Sequence, residues 1–73
     1  MEWTDSRAQQ LYETAKRLYS GRNYAAALEA IRGLGNLARA GSSDASWALG
    51  AIANDYSDSD IGAEAIKQLG RVN

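Results

Sequence analysis

The segment Asp55–Asp60 is the most acidic stretch of the chain, with three aspartates in six residues. Clustered carboxylates can bind a hard cation such as Ca²⁺, but a calcium loop also needs a fixed ligand order. Counted from Asp58, the fifth position is Gly62, the sixth is Ala63 and the twelfth is Leu69, so the required oxygen ligand, glycine and glutamate are missing. Acids ahead of a helix more often complement its dipole. We therefore predict no metal site and no cofactor.

Residue types that support catalysis are scarce. The chain has no histidine and no cysteine, which removes the commonest general base, the most reactive nucleophile and any disulfide. Three of its seven glycines occur in Leu-Gly pairs within apolar segments, and none lies in a phosphate-binding loop after a strand. We predict no catalytic residues and a protein that is not an enzyme.

Three side chains suited to binding recur at helical spacing: Tyr12, Lys16 and Tyr19. Residues three or four apart share one face of an α-helix. Tyrosine supplies a large contact area, and a cation between two tyrosines can bind a carboxylate or an aromatic face. The alternative is that both rings belong to the edge of the core and expose only their hydroxyls.

Trp47 is the second candidate for binding. It points away from the apolar stripe that starts at Ala45, and its helical neighbours on that outer face are small. A tryptophan in this setting can be a binding hot spot or receive a partner helix. The alternative is packing against the second or the fourth helix. Trp3, ahead of the first helix, is predicted to cover the end of the core.

Length and composition indicate one small domain, residues 1–73, with a net charge of −1. Basic residues alternate with acidic ones, whereas nucleic-acid binding normally needs a basic cluster, so binding through Lys16, Arg17 and Arg22 is the less favoured alternative. The first residues lack the pattern of a secretory signal, and no apolar run approaches the roughly 20 residues that span a bilayer. We predict a cytoplasmic protein with no membrane partner.

The chain is rich in alanine and leucine and has no proline, a composition typical of helices. Apolar periodicity predicts an all-α fold with four short helices, at about 5–20, 24–40, 44–55 and 60–72, stacked as two antiparallel pairs. Gly21 and Gly41 are predicted to end the first two helices. Gly33 and Gly35 lie inside the second, where they indicate either local tolerance with a kink or the close approach of another helix.

Polar residues ahead of each helix can accept hydrogen bonds from its free N–H groups. We predict these caps at Thr4 or Asp5 for the first helix, at Asn23 for the second and in the Ser42–Asp44 turn for the third. For the fourth helix, Ser57 followed by an acid three residues later is similar to a capping box.

The phrase Ala-x-x-x-Leu-Gly-x-aliphatic occurs three times, at residues 30–37, 45–52 and 65–72, in the second, third and fourth helices. With Ala27 at the small-residue position of a second helix, the chain resembles tetratricopeptide repeats, and the run from Ala38 to Ile52 resembles their Sel-one-like subgroup. The matching residues of that motif are Ala38, Gly41, Ala45, Leu49 and Gly50. Ala53 replaces a usual tyrosine, and an acidic segment replaces a glycine-containing loop. A HEAT-like repeat is the alternative.

The resemblance implies a helical interaction scaffold without catalytic residues. In such scaffolds the first helix of each pair lines a groove. By this register the groove residues would be Gln9, Tyr12, Lys16, Tyr19 and Ser20 from the first helix, with Ser46 and Asn54 from the third.

We therefore predict a non-enzymatic protein–protein interaction module that binds a partner protein through this groove or through the outer face at Trp47. Repeat folds usually need about three units for a stable core, so a two-unit chain is expected to form a homodimer or to be completed by its partner. The alternative function is a small inhibitor or regulator of a host protein, of the kind that phages and mobile elements encode.

Overall fold

Four α-helices make up the computed structural model of the protein, which describes residues 2–72. They are α1 (Ser6–Ser20), α2 (Tyr24–Arg39), α3 (Ser43–Asp55) and α4 (Asp60–Leu69), with no strand in the described residues. The all-α prediction is confirmed. The predicted bounds differ by at most one residue, except that α4 ends at Leu69 and not at residue 72.

The helices pack as two pairs, α1 with α2 and α3 with α4. Short turns join the members of each pair, as in antiparallel helical hairpins. Helix α2 also lies against α3 and α4, while α1 lies beside α3. This arrangement leaves α1 and α3 as neighbours on one side of the molecule, where the candidate site is found.

The core consists mainly of alanine, with a few larger aliphatic side chains. The largest fully buried residues are Ile31, Leu34, Leu49, Ile52 and Ile61. Small side chains bring helix backbones close together, and the two glycines inside α2 continue this trend. A Cβ on Gly35 would overlap the side-chain amide of Gln68, and one on Gly33 would lie 3.1 Å from Leu11 Cδ1. Close helix approach, one of the two predicted explanations, therefore accounts for both glycines.

A polar network joins α2 to α4 where Gly35 allows the side chain of Gln68 to approach α2. Arg39 Nη1 donates to Gln68 Oε1 at 2.9 Å, and Gln68 Nε2 donates to Glu64 Oε2 at 2.7 Å. Arg32 Nε lies 3.7 Å from the same Glu64 oxygen. Within residues 2–72, every buried side-chain nitrogen and oxygen has a hydrogen-bond partner. A satisfied buried network fixes how the two helices pack.

Three of the four helices begin at a side-chain cap. Asp5, Ser42 and Ser59 precede α1, α3 and α4, and each accepts a hydrogen bond from a backbone N–H of the first turn. The predictions for the first and third helices are confirmed. The capping role predicted for Ser57 is wrong, because Ser59 lies directly before the first helical residue. Asn23 occupies the predicted position before α2 but makes no side-chain cap bond.

Helices α1 and α2 both end in a Schellman motif, which requires one residue in the left-handed region. After α2 this residue is Gly41, with φ of 105°. After α1 it is Arg22, with φ of 64°, whereas Gly21 has an ordinary φ of −81°. Gly21 therefore ends α1, as predicted, but the left-handed conformation falls on the residue after it.

Arg22→Gly is expected to raise the free energy of unfolding by about 1 kcal/mol, because a left-handed conformation costs a non-glycine residue about 1–2 kcal/mol. The thermal midpoint should rise by roughly 4–8 °C in a domain of this size. The converse change, Gly41→Ala, serves as the control and should lower the midpoint by a similar amount. A lower midpoint for Arg22→Gly, measured by circular dichroism, would contradict the prediction.

Candidate functional site

None of the aromatic side chains of this protein belongs to the fully buried core. The chain has two tryptophans, four tyrosines and no phenylalanine, and every one of these rings is at least partly exposed. They gather into two groups. The Trp cluster contains Trp3, Tyr12 and Trp47, and the Tyr cluster contains Tyr19, Tyr24 and Tyr56.

In the Trp cluster each ring contacts the other two. The centroid of Trp3 lies 5.4 Å from those of Tyr12 and Trp47, and the Tyr12 and Trp47 centroids are 5.7 Å apart. Trp47 is 45% exposed. Lys16 Nζ lies 4.2 Å from the centroid of the Tyr12 ring, within cation–π distance. The result is an apolar surface with one positive charge at its edge.

Asp44 holds the segment ahead of α1 against α3 and so brings Trp3 to Trp47. Its carboxylate accepts hydrogen bonds from the backbone N–H of Thr4 at 2.6 Å and of Asp5 at 2.7 Å, and from the Thr4 hydroxyl at 3.2 Å. The backbone N–H groups of Asp5 and Thr4 hold the pKa of Asp44 below its usual range. Trp3 also packs on the core, as predicted.

A second carboxylate strengthens the same corner of the molecule. Asp5 accepts from the backbone N–H of Arg7 at 3.0 Å and pairs with the Arg7 guanidinium at 3.2 Å. The Arg7 side chain, followed by Ser42, lowers the pKa of Asp5 to about 2. The start of α1 is thus fixed by two ionised carboxylates, of which one is its own cap and the other comes from α3.

The Tyr cluster forms at the opposite ends of α1 and α3. The ring centroid of Tyr19 lies 5.3 Å from that of Tyr24 and 5.4 Å from that of Tyr56, the second pair in a T-shaped arrangement. Tyr19 lies in the last turn of α1, Tyr24 begins α2 and Tyr56 follows α3. Only a short turn separates Tyr19 from Tyr24 in the chain, and this signal was available in the sequence.

A hollow of about 240 Å³, here called the Tyr–Asp hollow, opens beside this cluster. Its walls are Tyr19 and the turn between α3 and α4, residues 55–59. Asp55 and Asp58 are both among the residues that line the hollow, and both are exposed. From the sequence, these acids are predicted to complement the dipole of the following helix and not to hold a metal ion. Among residues 2–72 no group of three or more potential ligand side chains lies close enough to hold a metal ion.

The predicted binding residues fall into both clusters. Tyr12 belongs with Trp47 to the Trp cluster, and Lys16 lies over the Tyr12 ring, so the groove and the outer Trp47 face, predicted as alternatives, share one surface. Tyr19 lies in the Tyr cluster, so the predicted set of Tyr12, Lys16 and Tyr19 is divided between two surfaces. Asn54 is exposed two turns beyond Trp47 on α3, with its amide 3.3 Å from an Asp55 carboxylate oxygen.

Gly50 lies one turn beyond Trp47 and differs from the other glycines inside helices. A Cβ at this position would meet no atom within 4 Å. Glycine in an exposed helical position costs about 1 kcal/mol relative to alanine. Unlike Gly33 and Gly35, this residue is therefore not required by any contact within the described chain.

None of the helices in the described residues combines the length and the apolar character needed to cross a membrane. No protein-family model matches the chain, and neither a curated protein nor a solved structure matches it. The resemblance to tetratricopeptide and Sel-one-like repeats therefore stays a prediction, and the function is inferred from the two aromatic surfaces alone.

Proposed function

We propose that this chain is a non-enzymatic protein-binding module and that its partner binds at the Trp cluster. The observation that carries the proposal is the position of the two tryptophans. They contact each other at the surface, while the largest fully buried side chains are isoleucine and leucine.

Keeping these rings at the surface lowers the stability that a small domain can reach. A tryptophan or tyrosine buries 150–250 Å² when it enters a core, and apolar burial contributes about 25 cal/mol per Å². A chain with an alanine-rich core leaves this contribution unused in the isolated state. Tryptophan and tyrosine dominate binding hot spots, where a partner supplies the missing contacts.

Gly50 supports the same surface. Nothing within residues 2–72 needs glycine there, and the missing side chain would let a partner backbone lie close to α3 beside Trp47. Lys16 adds a positive charge at the edge of the Trp cluster, where it can pair with an acidic group of the partner.

The absence of histidine and cysteine favours binding over catalysis. The paired helices are compatible with a tetratricopeptide-like or Sel-one-like scaffold in the cytoplasm, and we keep this as part of the proposal. Self-association is a further part of it. Light scattering over a range of concentrations should show a dimer, and a strict monomer without its partner would contradict homodimer formation.

Capture from a lysate of the source cells tests the proposal. Immobilised wild-type chain should retain a protein that Trp47→Ala retains at least tenfold less, since central aromatic anchors contribute 2 kcal/mol or more. The control is Ile66→Ala, which removes a more exposed apolar side chain on α4, outside both clusters. Equal capture by a folded Trp47→Ala variant would contradict the proposal.

The same capture experiment distinguishes between the alternative functions. If the isolated chain inhibits the activity of the protein that it captures, the role is that of an inhibitor, as proposed for phage- or mobile-element-encoded regulators. If it captures DNA or RNA instead, binding should fall steeply with salt because phosphate contacts release counterions.

A further inference from the structure

We infer that the Tyr–Asp hollow binds an arginine side chain of the partner protein. This inference rests on the proposed function, because the arginine belongs to the protein that contacts the Trp cluster. It adds the chemistry of that partner: an apolar contact at one end of the α1–α3 face and a guanidinium at the other.

The size of the hollow limits its occupant to a single side chain. Pockets for drug-sized ligands span roughly 300–1,000 Å³, whereas this hollow has about 240 Å³ and is open to solvent at the end of α1. A side chain reaching in from a partner surface fits this volume and this accessibility.

The tyrosines favour a flat cation. Tyr19 and Tyr56 both line the hollow, and their rings meet at an interplanar angle of 78°, so the ring faces point in two different directions. Guanidinium groups stack on aromatic faces and are more weakly hydrated than ammonium groups, so arginine is favoured over lysine at such a wall.

The charge of the hollow is negative and uncompensated. Among residues 2–72, neither Asp55 nor Asp58 forms an ion pair with a lysine or arginine. Helix α3 ends at Asp55, and the partial negative charge of its C-terminus adds to the charge of the hollow. The N-terminus of α4 also lies nearby, but Asp60 in its first turn offsets its partial positive charge.

The test is an NMR titration of the ¹⁵N-labelled full chain with N-acetyl-arginine amide at low salt. N-acetyl-citrulline amide serves as the matched probe, because it keeps the shape of the side chain and lacks the charge. The arginine probe should shift the amide signals of residues 55–59 and Tyr19 with a millimolar Kd, and the citrulline probe should not. Raising the salt to about 0.15 M should weaken binding severalfold, because exposed charges are screened.

Three variants distinguish binding in the hollow from general attraction to acidic surface. The double variant Asp55→Asn, Asp58→Asn should raise the Kd at least fivefold, as expected for the loss of two exposed ion pairs. Glu13→Gln removes a carboxylate from a separate hollow on α1 and should leave the Kd unchanged. Tyr19→Leu should raise the Kd two- to fivefold through the loss of one cation–π contact.

Three results would overturn the inference: no shift at residues 55–59, equal shifts with citrulline, or equal weakening by Glu13→Gln. Larger shifts at these residues with calcium chloride than with the arginine probe would also overturn it in favour of a metal. Because the titration uses no partner protein, its failure would leave the capture experiment at Trp47 unaffected. Failure of that capture would likewise leave a positive titration standing.

Discussion

Gly62→Ala is expected to lower the free energy of unfolding by about 3 kcal/mol, at the upper end of the cost of overpacking. A Cβ at this position would overlap the backbone carbonyl oxygen of Tyr56 and lie 2.7 Å from its carbonyl carbon. That carbonyl cannot turn away freely, because it accepts hydrogen bonds from the backbone N–H of Ser59 at 3.0 Å and from its hydroxyl at 2.7 Å. The clash would therefore displace the whole α3–α4 turn.

The effect is large for a chain of 73 residues, whose total stability is expected to be roughly 4–11 kcal/mol. Urea unfolding followed by circular dichroism measures it. Gly50→Ala is the matched control, since it makes the same change in a helix with open space around it and should stabilise the fold by about 0.5–1 kcal/mol. Equal unfolding midpoints for the two variants would show that the contact at Gly62 is absent in solution.

Asp44→Asn is expected to lower the thermal midpoint by roughly 5–10 °C, because a charged acceptor of three hydrogen bonds becomes a neutral amide. The segment ahead of α1 should then detach, and Trp3 should leave Trp47. Tryptophan fluorescence should shift to longer wavelength as the rings become hydrated. An unchanged emission spectrum would mean that other contacts hold Trp3 in place.

The same carboxylate should make stability depend on pH. The pKa of Asp44 is lower in the folded chain than its ordinary value of 3.8, and that of Asp5 is lowered to about 2. Their stabilisation is therefore fully present above about pH 5 and is lost as the pH falls towards 2. Asp44→Asn should show a shallower loss over this range. Ile66→Ala, which changes no ionisable group, should keep the slope of the parent.

Local patterns predicted the helices well, because periodicity and caps act over only a few residues. The position of Trp3 could not be predicted in the same way. Asp44 was assigned to the turn before its own helix, yet it bonds to residues 39 and 40 positions earlier in the chain. No short-range signal identifies a partner at such a distance, so the Trp cluster emerges only from the folded arrangement.

The buried polar network between α2 and α4 could not be predicted from the sequence for a different reason. In α4 the apolar Leu69 is only partly buried, whereas the polar Gln68 and Glu64 are buried beside it. Polar residues in a core-facing position look like solvent-exposed ones unless their partners are known. Here the partners are Arg32 and Arg39 on α2, and the glycine that admits Gln68 was the only visible hint.

The Trp cluster draws its rings from both helix pairs, with Trp3 and Tyr12 on the first and Trp47 on the second. The surface therefore belongs to the junction of the pairs, and neither hairpin produced as a separate peptide would display it. This sets a rule for engineering the protein: the two helix pairs must stay joined, because a cut between α2 and α3 would divide the surface.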